Sequence, residues 1–316
     1  MRRLLFLLAL LPALALAQAY PNRPVRVIVT FPPGGTPDIY GRVMAAELQK
    51  AWGQPVLVEN RTGAGGTIGT DAVAKATPDG YTLLFAADAT ITLAPSVVAK
   101  MPYDPVRDLA PIVNVAAGPF VLLAHPAFPA NTMAEFIALA KKQPGKIPYA
   151  SSGAGGQQHL AMESVRNMAG IDVVHVPYKG FGQGVTDVLA NQVPLIFGGI
   201  TASISYAGGG KLKAIAVTSA KRAKAMPDVP AIAETLPGFD ITAWYGFLGP
   251  AHFAPQIVRK VNADTLAVIA RSDFQERLAR DGIEPVGNSP EAFAEQIRAD
   301  IARWAKIVKA AGVEPE

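Results

Sequence analysis

The chain has 316 residues, half of them hydrophobic, and a formal net charge of +4. Its lysines and arginines are scattered among acidic residues, which excludes the dense basic stripe of a nucleic-acid-binding protein. It contains no cysteine, so a disulfide framework and a thiolate metal site are excluded, and its four dispersed histidines do not predict a zinc site. We therefore expect no metal and no cofactor, and the length is typical of two domains of ordinary size.

Residues 1–19 have the pattern of a secretory signal peptide. A basic start precedes an apolar stretch from Leu4 to Leu16, and small residues follow at Ala17 and Ala19. The apolar stretch is shorter than the ~20 residues that a membrane-spanning helix needs. We expect cleavage near Ala17 or Ala19, and no lipid anchor because the chain has no cysteine. The sequence thus predicts a protein that is exported in free form.

Short apolar strands alternate with helices over the first third of the sequence. The pattern predicts a strand at 25–29, a helix at 39–52, a strand at 56–59, a helix at 68–75 and a strand at 81–86. This βαβαβ order is typical of an α/β protein with a parallel sheet and helices on its faces.

A second α/β unit is predicted after residue 104. It begins with an extended run at 112–117 and 120–124, broken at Gly118 and Pro119, where we expect the chain to cross between two lobes. The later predicted elements are helices at 133–142, 159–168 and 184–191, strands at 148–150, 172–176, 193–197, 213–218 and 241–248, and C-terminal helices at 257–270, 273–281 and 290–311.

This order of elements predicts a division into two lobes. We expect lobe 1 to comprise residues 20–117 and 239–316, and lobe 2 to comprise residues 118–238. The carboxyl ends of strands at such a domain interface are where α/β proteins bind ligands. We therefore expect a central ligand cleft between the lobes.

Two glycine-rich loops each lie between a predicted strand and a predicted helix. The first loop is FPPGGTPD at 31–38, and the second loop is SSGAGG at 151–156. Such loops leave backbone N–H groups free at a helix N-terminus, where the helix dipole also favours negative charge. Two loops of this kind that face each other would hold a small carboxylate or phosphate.

Further motifs keep the order and spacing of one protein family. They are Asp38 and Arg42 after FPPGG, GQPV at 53–56, VENR at 58–61, GAGG at 63–66, PDGYTL at 78–83, VPYKG at 176–180, PDVP at 227–230 and WYG at 244–246. With them the chain resembles the Bug (TctC-like) extracytoplasmic solute receptors of tripartite tricarboxylate transporters. The resemblance implies a two-lobed, type II-like periplasmic binding protein with two crossing segments. Such a protein closes on a small organic carboxylate and delivers it to a membrane permease, and we expect it to be a monomer.

The resemblance also implies a ligand site in the two loops, where main-chain groups and ordered water hold one carboxylate. Carried over to this chain, the site comprises Pro33, Gly34, Gly35, Thr36 and Asp38 in the first loop, and Ser151, Ser152, Gly153, Ala154, Gly155, Gly156, Gln157 and His159 in and after the second. Relatives commonly have a hydroxyl residue where this chain has Gly156, so that contact would pass to the backbone or water. From their positions at strand ends we add Phe31, Tyr178 and Thr201.

Several of these residues have a second interpretation that the sequence leaves open. Asp38 would repel a ligand carboxylate, so we favour a role in bracing the loop, with contact to an amino or hydroxyl group of the solute as the alternative. The two serines of the second loop are either oxyanion donors or helix-capping residues. His159 either braces the loop or touches the ligand. Trp244 and Tyr245 either pack in the core or form a wall of the pocket.

Two functions of other classes remain open at this point. An exported enzyme that acts on a small carboxylate would share the pocket, but no motif brings a nucleophile together with its base. The glycine runs at 63–69 and 208–211 lack the spacing of a dinucleotide loop and of a P-loop. We therefore expect no catalytic residues and no enzymatic activity. A ligand-sensing subunit of a membrane signalling system would have the same fold and pocket as a transport receptor.

Overall fold

The computed structural model describes residues 20–315, and the predicted signal peptide lies outside this range. Within it the chain forms ten strands: β1 (Val25–Val29), β2 (Val56–Asn60), β3 (Thr82–Ala87), β4 (Leu109–Ala124), β5 (Pro148–Ser151), β6 (Val174–Pro177), β7 (Leu195–Gly199), β8 (Lys213–Val217), β9 (Thr242–Pro250) and β10 (Glu284–Pro285).

The same range contains ten α-helices: α1 (Thr36–Trp52), α2 (Thr67–Ala74), α3 (Ala94–Val97), α4 (Met133–Lys142), α5 (Gln157–Ala169), α6 (Phe181–Leu189), α7 (Ile200–Gly208), α8 (Pro255–Ile269), α9 (Ser272–Arg280) and α10 (Pro290–Ala311). Single 3-10 turns at Ala64–Gly66 and Ile232–Glu234 and a π-helical turn at Ala89–Leu93 complete the helical segments.

One mixed sheet runs through the molecule in two halves. The first half-sheet has the order β2-β1-β3-β9-β4, with β1 parallel to both β2 and β3, and with β9 antiparallel to β3 and β4. Every residue of β1 except Arg26 is buried, as is typical of a parallel strand covered on both faces. Met44 and Leu48 of α1 pack into the same core. The parallel βαβαβ prediction is confirmed.

The second half-sheet has the order β4-β7-β5-β6, and β8 also pairs with β4. Here β5 is parallel to β6 and β7, whereas β4 is antiparallel to β7 and β8. Its core contains Tyr149 and Phe197 from the strands and Phe136 and Leu160 from the covering helices. The two halves give the molecule the two-lobed α/β architecture that the sequence predicts.

Strand β4 joins the two halves as one uninterrupted strand of 16 residues. The predicted break at Gly118 and Pro119 is therefore wrong, although the crossing between halves does occur there. Pro119 pairs with Thr242 of β9, and the next residue, Phe120, pairs with Gly199 of β7. A residue without an N–H is tolerated at this position because the pairing partner of the strand changes there.

The structure also contains elements that the sequence pattern did not predict, namely α3, α7, β10 and the π-helical turn. Helix α7 is rich in Ser, Thr and Gly, which have low helix propensity. Its Ile200 and Ile204 pack closely against Gly282, just after α9. This tertiary contact, which is distant in sequence, stabilises a helix that local propensity does not predict. Thr201, which the sequence analysis placed at the end of a strand, thus lies in the first turn of this helix.

Helix α10 packs against both halves of the molecule. Phe293, near its start, lies in a cluster with Trp244, whereas Trp304 and Val308, near its end, lie in the core that contains Leu160 of α5. The C-terminal helix therefore links the two halves. Over residues 20–315, no helix combines the length and the apolar character that crossing a membrane requires.

Candidate functional site

A cleft lies between the two half-sheets, where helices begin after parallel strands. It contains two adjoining cavities of about 520 Å³ and about 430 Å³, which share Phe120 and Gln158 in their walls. The first cavity is lined by residues 34–36, by the start of α7 and by the ring of Tyr245. The second cavity is lined by Phe31 and by parts of segments 64–67, 89–98 and 152–158.

Four helices, α1, α2, α5 and α7, begin at these cavities, and a glycine without a side-chain cap precedes each: Gly35, Gly66, Gly156 and Gly199. Two helices elsewhere, α4 and α10, are instead capped by the side chains of Thr132 and Ser289. The first N–H groups of a helix have no acceptor within the helix. With glycine caps these groups remain available to an anion in the cleft, except for the Thr67 N–H, which bonds Ala64 O, and for Pro37, which has no N–H.

The cavity walls carry polar groups but no charge. Among the described residues, no charged side chain lines either cavity. Hydroxyl and amide groups come from Thr36, Tyr245, Ser152, Gln157 and Gln158. A hydrogen bond joins the hydroxyls of Thr36 and Tyr245, and burial, followed by the nearby Asp88 carboxyl, raises the pKa of Tyr245. The site can therefore bind an anion through oriented neutral dipoles, without a lysine or arginine.

The Asp38 carboxylate accepts hydrogen bonds that hold the first loop in place, although Asp38 itself lines neither cavity. Its Oδ2 accepts the N–H of Gly34 at 2.9 Å, and its Oδ1 accepts from Asn60 Nδ2 at 2.7 Å and from Arg42 Nε at 2.9 Å. Burial opposes ionisation of this carboxyl, but the hydrogen bonds from Asn60, Gly34 and Arg42 outweigh it and hold its pKa below the ordinary value. Asp38 is buried, ionised and already bonded on both oxygens.

Two stacked imidazole rings support the second loop. The ring centroids of His159 and His175 are 3.9 Å apart, and their planes differ by 8°. His159 Nδ1 accepts the N–H of Gly155 at 3.0 Å, and His175 Nε2 lies 2.6 Å from Ser151 Oγ in a hydrogen bond. Burial lowers the pKa of both histidines, and the neighbouring His159 helps to lower that of His175 to about 4. Both rings are therefore neutral at pH 7.

The start of α5 also makes contacts that order the cleft. Gln158 Oε1 accepts the N–H of Ser152 at 3.1 Å, which closes the second loop onto its own helix. Gln157 Nε2 donates to Oδ2 of Asp88 at 2.6 Å. Asp88 directly follows β3, so this hydrogen bond connects the two halves of the molecule across the cleft.

The structure brings most of the predicted site residues to the cavity walls: Phe31, Gly34, Gly35, Thr36, Ser152, Ala154, Gly155, Gly156, Gln157 and Thr201. Six predicted residues lie outside these linings: Pro33, Asp38, Ser151, Gly153, His159 and Tyr178. Asp38, Ser151 and His159 support the loops, and the Tyr178 hydroxyl donates to Asp187 at 2.7 Å. Contact of any of these residues with a ligand stays a prediction.

Phe120, Gln158 and Phe181 line the first cavity but are not among the site residues predicted from the sequence. Phe120 directly follows the crossing point of β4. In the sequence, this position is the feature that could have indicated Phe120 as a cleft residue. The choice between Trp244 and Tyr245 is decided by strand alternation, which places neighbouring side chains on opposite faces. Tyr245 lines the first cavity, whereas Trp244 is buried and its Nε1–H donates to Asp300 at 3.0 Å.

Comparison with known proteins identifies relatives over nearly the whole chain. Protein BugT of Bordetella pertussis is 36% identical over 300 residues, which cover 94% of this chain and 92% of BugT. The structure of Rhodopseudomonas palustris Rpa4515 with adipate has a TM-score of 0.85 and 32% identity, and the match covers 94% of this chain and 100% of that one. MatC of Rhodopseudomonas palustris with bound malate has a TM-score of 0.79 and 31% identity, with coverage of 92% and 100%.

The family profile described as tripartite tricarboxylate transporter family receptor, TctC, matches residues 40–313 of this chain. This range includes the start of α7, the second glycine-rich loop and all of α10. The residue motifs, the two-lobed fold and the identity with BugT lead to the same assignment. This protein belongs to the TctC family of solute-binding receptors, which includes the Bug proteins.

Proposed function

We propose that this protein captures a small organic carboxylate in the cleft between its two halves and delivers it to a tripartite tricarboxylate-type permease. The observation that carries the proposal is the convergence of four glycine-capped helix N-termini on cavities whose described walls contain no charged side chain. Oriented N–H groups bind carboxylates well, and each charge-assisted hydrogen bond contributes about 1.5–3 kcal/mol. Its relatives are solute receptors, which supports binding rather than catalysis.

The shape of the cleft favours an elongated solute with two anionic ends. The two cavities meet at Phe120, and each has helix N-termini in its wall. In this arrangement, one carboxylate lies at the first loop and α7, the other lies at α2 and α5, and the carbon chain passes Phe120. The adipate of Rpa4515 and the malate of MatC are both dicarboxylates, which supports this class as the first to test.

We further propose that the lobes are residues 20–117 with 239–316 and residues 118–238, and that they close around the solute. Closure works as a population shift, because the ligand contacts both lobes only in the closed form. The protein would act in the periplasm as a monomer, after removal of the signal peptide near Ala17 or Ala19. Size-exclusion chromatography with light scattering tests the monomeric state, and mass determination of the exported protein tests the cleavage site.

Thermal unfolding of purified protein with a panel of carboxylates tests the central proposal. The panel contains adipate, malate, a tricarboxylate, a monocarboxylate, an aromatic acid and an acidic amino acid, added after unfolding and refolding to remove retained solute. A solute at 100 times its Kd adds about 2.7 kcal/mol of stability, which raises Tm by several degrees. If no carboxylate raises Tm, the proposed ligand class is wrong.

A substitution at Gly35 tests whether the cleft is the binding site. A Cβ at Gly35 would meet Pro32 O at 3.6 Å and Pro37 Cδ at 3.8 Å, which are ordinary contacts, so Gly35→Val should fold. The larger side chain would occupy the wall of the first cavity, and we expect at least a tenfold rise in Kd in calorimetry. Gly182→Val, in open space at the start of α6, is the matched control. An unchanged Kd in Gly35→Val would contradict the assignment of the first loop.

A further inference from the structure

Asp88 is a buried acidic residue beneath Gln157, a residue of the second cavity wall, and no family motif in this sequence includes it. It follows β3 directly and begins the segment that enters the π-helical turn. Only 1% of its surface is exposed, and its Oδ2 accepts the hydrogen bond from Gln157 Nε2 at 2.6 Å. Gln157 is the first residue of α5, so Asp88 holds the helix N-terminus that follows the second glycine-rich loop.

The surroundings of Asp88 favour its uncharged form. Its Oδ1 has no hydrogen-bond partner within residues 20–315. Burial, and then the charge of Asp300 on α10, raise the pKa of Asp88 to about 8, while Gln157, the amide of Ala89 and Arg303 on α10 act in the opposite direction. On β9, the hydroxyl of Tyr245 also lies near Asp88, and the charge of Asp88 helps to raise the pKa of Tyr245. Ionisation of a buried carboxyl group in which one oxygen accepts no hydrogen bond raises the free energy of the folded protein.

The hydrogen bond to Gln157 is compatible with a neutral acid. Because Gln157 Nε2 donates to Oδ2, that oxygen is the carbonyl-type acceptor, and the proton belongs on the unpartnered Oδ1. The side chain of Gln157 itself covers Asp88 from the second half of the molecule and lines the second cavity. Opening the cleft would remove this cover and admit water to the carboxyl group.

We propose that Asp88 is a positioning residue for closure on the ligand: as a neutral acid it holds Gln157, and through it the second loop, against the first half of the molecule. The inference rests on the proposed function, because it concerns closure around a bound solute. Closing the cleft then takes up a proton at Asp88. Solute affinity is thereby coupled to pH by a group that does not touch the solute.

The direction of this coupling follows from the two states. With the Gln157 contact formed, burial raises the pKa of Asp88 to about 8, and in the open form we expect a pKa closer to the ordinary value because water reaches the carboxyl group. The closed form therefore holds more protons between these two values. This contribution to closure is complete below the open-form pKa, and it is lost as the pH rises through about 8. Affinity should fall by up to about tenfold per pH unit across that window and level off above it.

Calorimetric titration with adipate from about pH 6 to about pH 9 tests the proposal, since the carboxylates of adipate stay ionised over this range. Asp88→Asn keeps an acceptor for Gln157 but cannot titrate, so we expect a flat pH profile and, at pH 7, an affinity at least as high as that of wild type, because closing then requires no proton uptake. Asp88→Ala and Gln157→Ala each remove the contact and should raise Kd about fivefold. The double variant Asp88→Ala/Gln157→Ala should bind adipate no more weakly than either single variant, because both substitutions remove the same contact.

Asp187→Asn is the matched control, because Asp187 also accepts a side-chain hydrogen bond, from Tyr178, but lies outside the cavity walls. It should keep the wild-type pH profile. The proposal is overturned if wild type and Asp88→Asn have the same pH profile, or if the effects of Asp88→Ala and Gln157→Ala add. A structural role alone would not change the pH profile.

A second measurement follows the Asp88 proton directly. Carboxyl ¹³C NMR of protein labelled at aspartate, with and without saturating adipate, identifies the Asp88 signal by its loss in Asp88→Asn. With adipate bound we expect Asp88 to titrate well above ordinary aspartates, and without ligand, in the open form, we expect it to titrate closer to them. Titration of Asp88 in the ordinary range in the adipate-bound protein overturns the inference, as does a signal insensitive to Gln157→Ala. Failure of every panel carboxylate to bind counts against the proposed function instead, so the two failures are distinguishable.

Discussion

Single side chains behind the cavity walls give the two glycine-rich loops their shapes. Asp38 provides acceptors for the Gly34 amide and for Asn60 and Arg42, while His159 provides one for the Gly155 amide. These residues come from the helices that the loops precede. The sequence interpretation that Asp38 and His159 brace the loops agrees with these bonds, while their contact with ligand remains untested.

At the residue scale we predict that Asp38→Ala destabilises the protein by about 1–3 kcal/mol at pH 7, because it removes the charged acceptor of the hydrogen bonds from Gly34, Asn60 and Arg42. The pKa of Asp38 is lowered in the folded protein, so its contribution is present above the unfolded pKa and is lost as the pH falls through the folded pKa. Urea unfolding near neutral and acidic pH measures both effects. Asp38→Asn, which keeps one carbonyl oxygen, should lose less stability and should not show the acid dependence. Equal stability of Asp38→Ala and wild type would contradict the bracing role.

Among the elements, the N-terminal turn of α5 and its loop are held by hydrogen bonds from several parts of the fold. Its loop is tied to β6 through Ser151 and His175, to its own helix through Gln158, and to the end of β3 through Gln157. By contrast, the start of α7 depends on Ile200 and Ile204 packing against Gly282. The second loop should therefore be preformed before the solute binds, which reduces the ordering cost of binding.

At the element scale we predict an acid-dependent loss of stability that depends on the His159–His175 stack. The pKa of His175 is lowered to about 4, first by burial and then by His159, so the folded state favours the neutral ring. The unfolded chain binds more protons between about 4 and the ordinary value of 6.5, so stability falls as the pH drops through this window. Tm measured from neutral to acidic pH should fall less steeply in His175→Gln than in wild type. Parallel curves would contradict this origin of the acid sensitivity.

In the molecule as a whole, hydrogen bonds span the cleft at separate places. Asp88 and Gln157 connect the halves near the second cavity, and Thr201 Oγ1 donates to the carbonyl oxygen of Asp281 at 2.7 Å near the first. The Asp281 side chain in turn accepts from the hydroxyl of Tyr40 on α1, at 2.6 Å. These contacts hold α7 to the end of α9 and to the core of the first half.

At this scale we predict that Thr201→Val weakens solute binding roughly fivefold by removing about 1 kcal/mol of closed-form stabilisation. Tm without ligand should change little, because valine has the shape of threonine and each half retains its core. Thr186→Val is the control, since its hydroxyl bonds Gly182 O within one helix. Calorimetry with the panel solute that binds best measures the Kd values. An equal Kd for Thr201→Val and wild type would contradict a bridging role for this hydrogen bond.

Much of the fold was predictable because it depends on local sequence. The continuous apolar run of β1, the helical stripe with Met44 and Leu48, and the glycine loops before α1 and α5 are each specified by neighbouring residues. The two glycine-rich loops in the cleft wall were identified for the same reason, whereas segments 64–67 and 89–98 of the second cavity wall were not. Helix α7 was not predicted, because the contact that stabilises it comes from Gly282, far along the chain.

The sequence by itself determined the class of fold, the two glycine-rich loops and the family, because period, turn chemistry and motif spacing are local properties. Only the tertiary structure decided that β4 passes unbroken through Pro119, that Tyr245 rather than Trp244 lines the first cavity, and that Asp88 meets Gln157. These features depend on which strands pair, which face of a strand is covered, and which residues meet across the cleft. Such contacts join positions that are distant in the chain, and no local pattern encodes them.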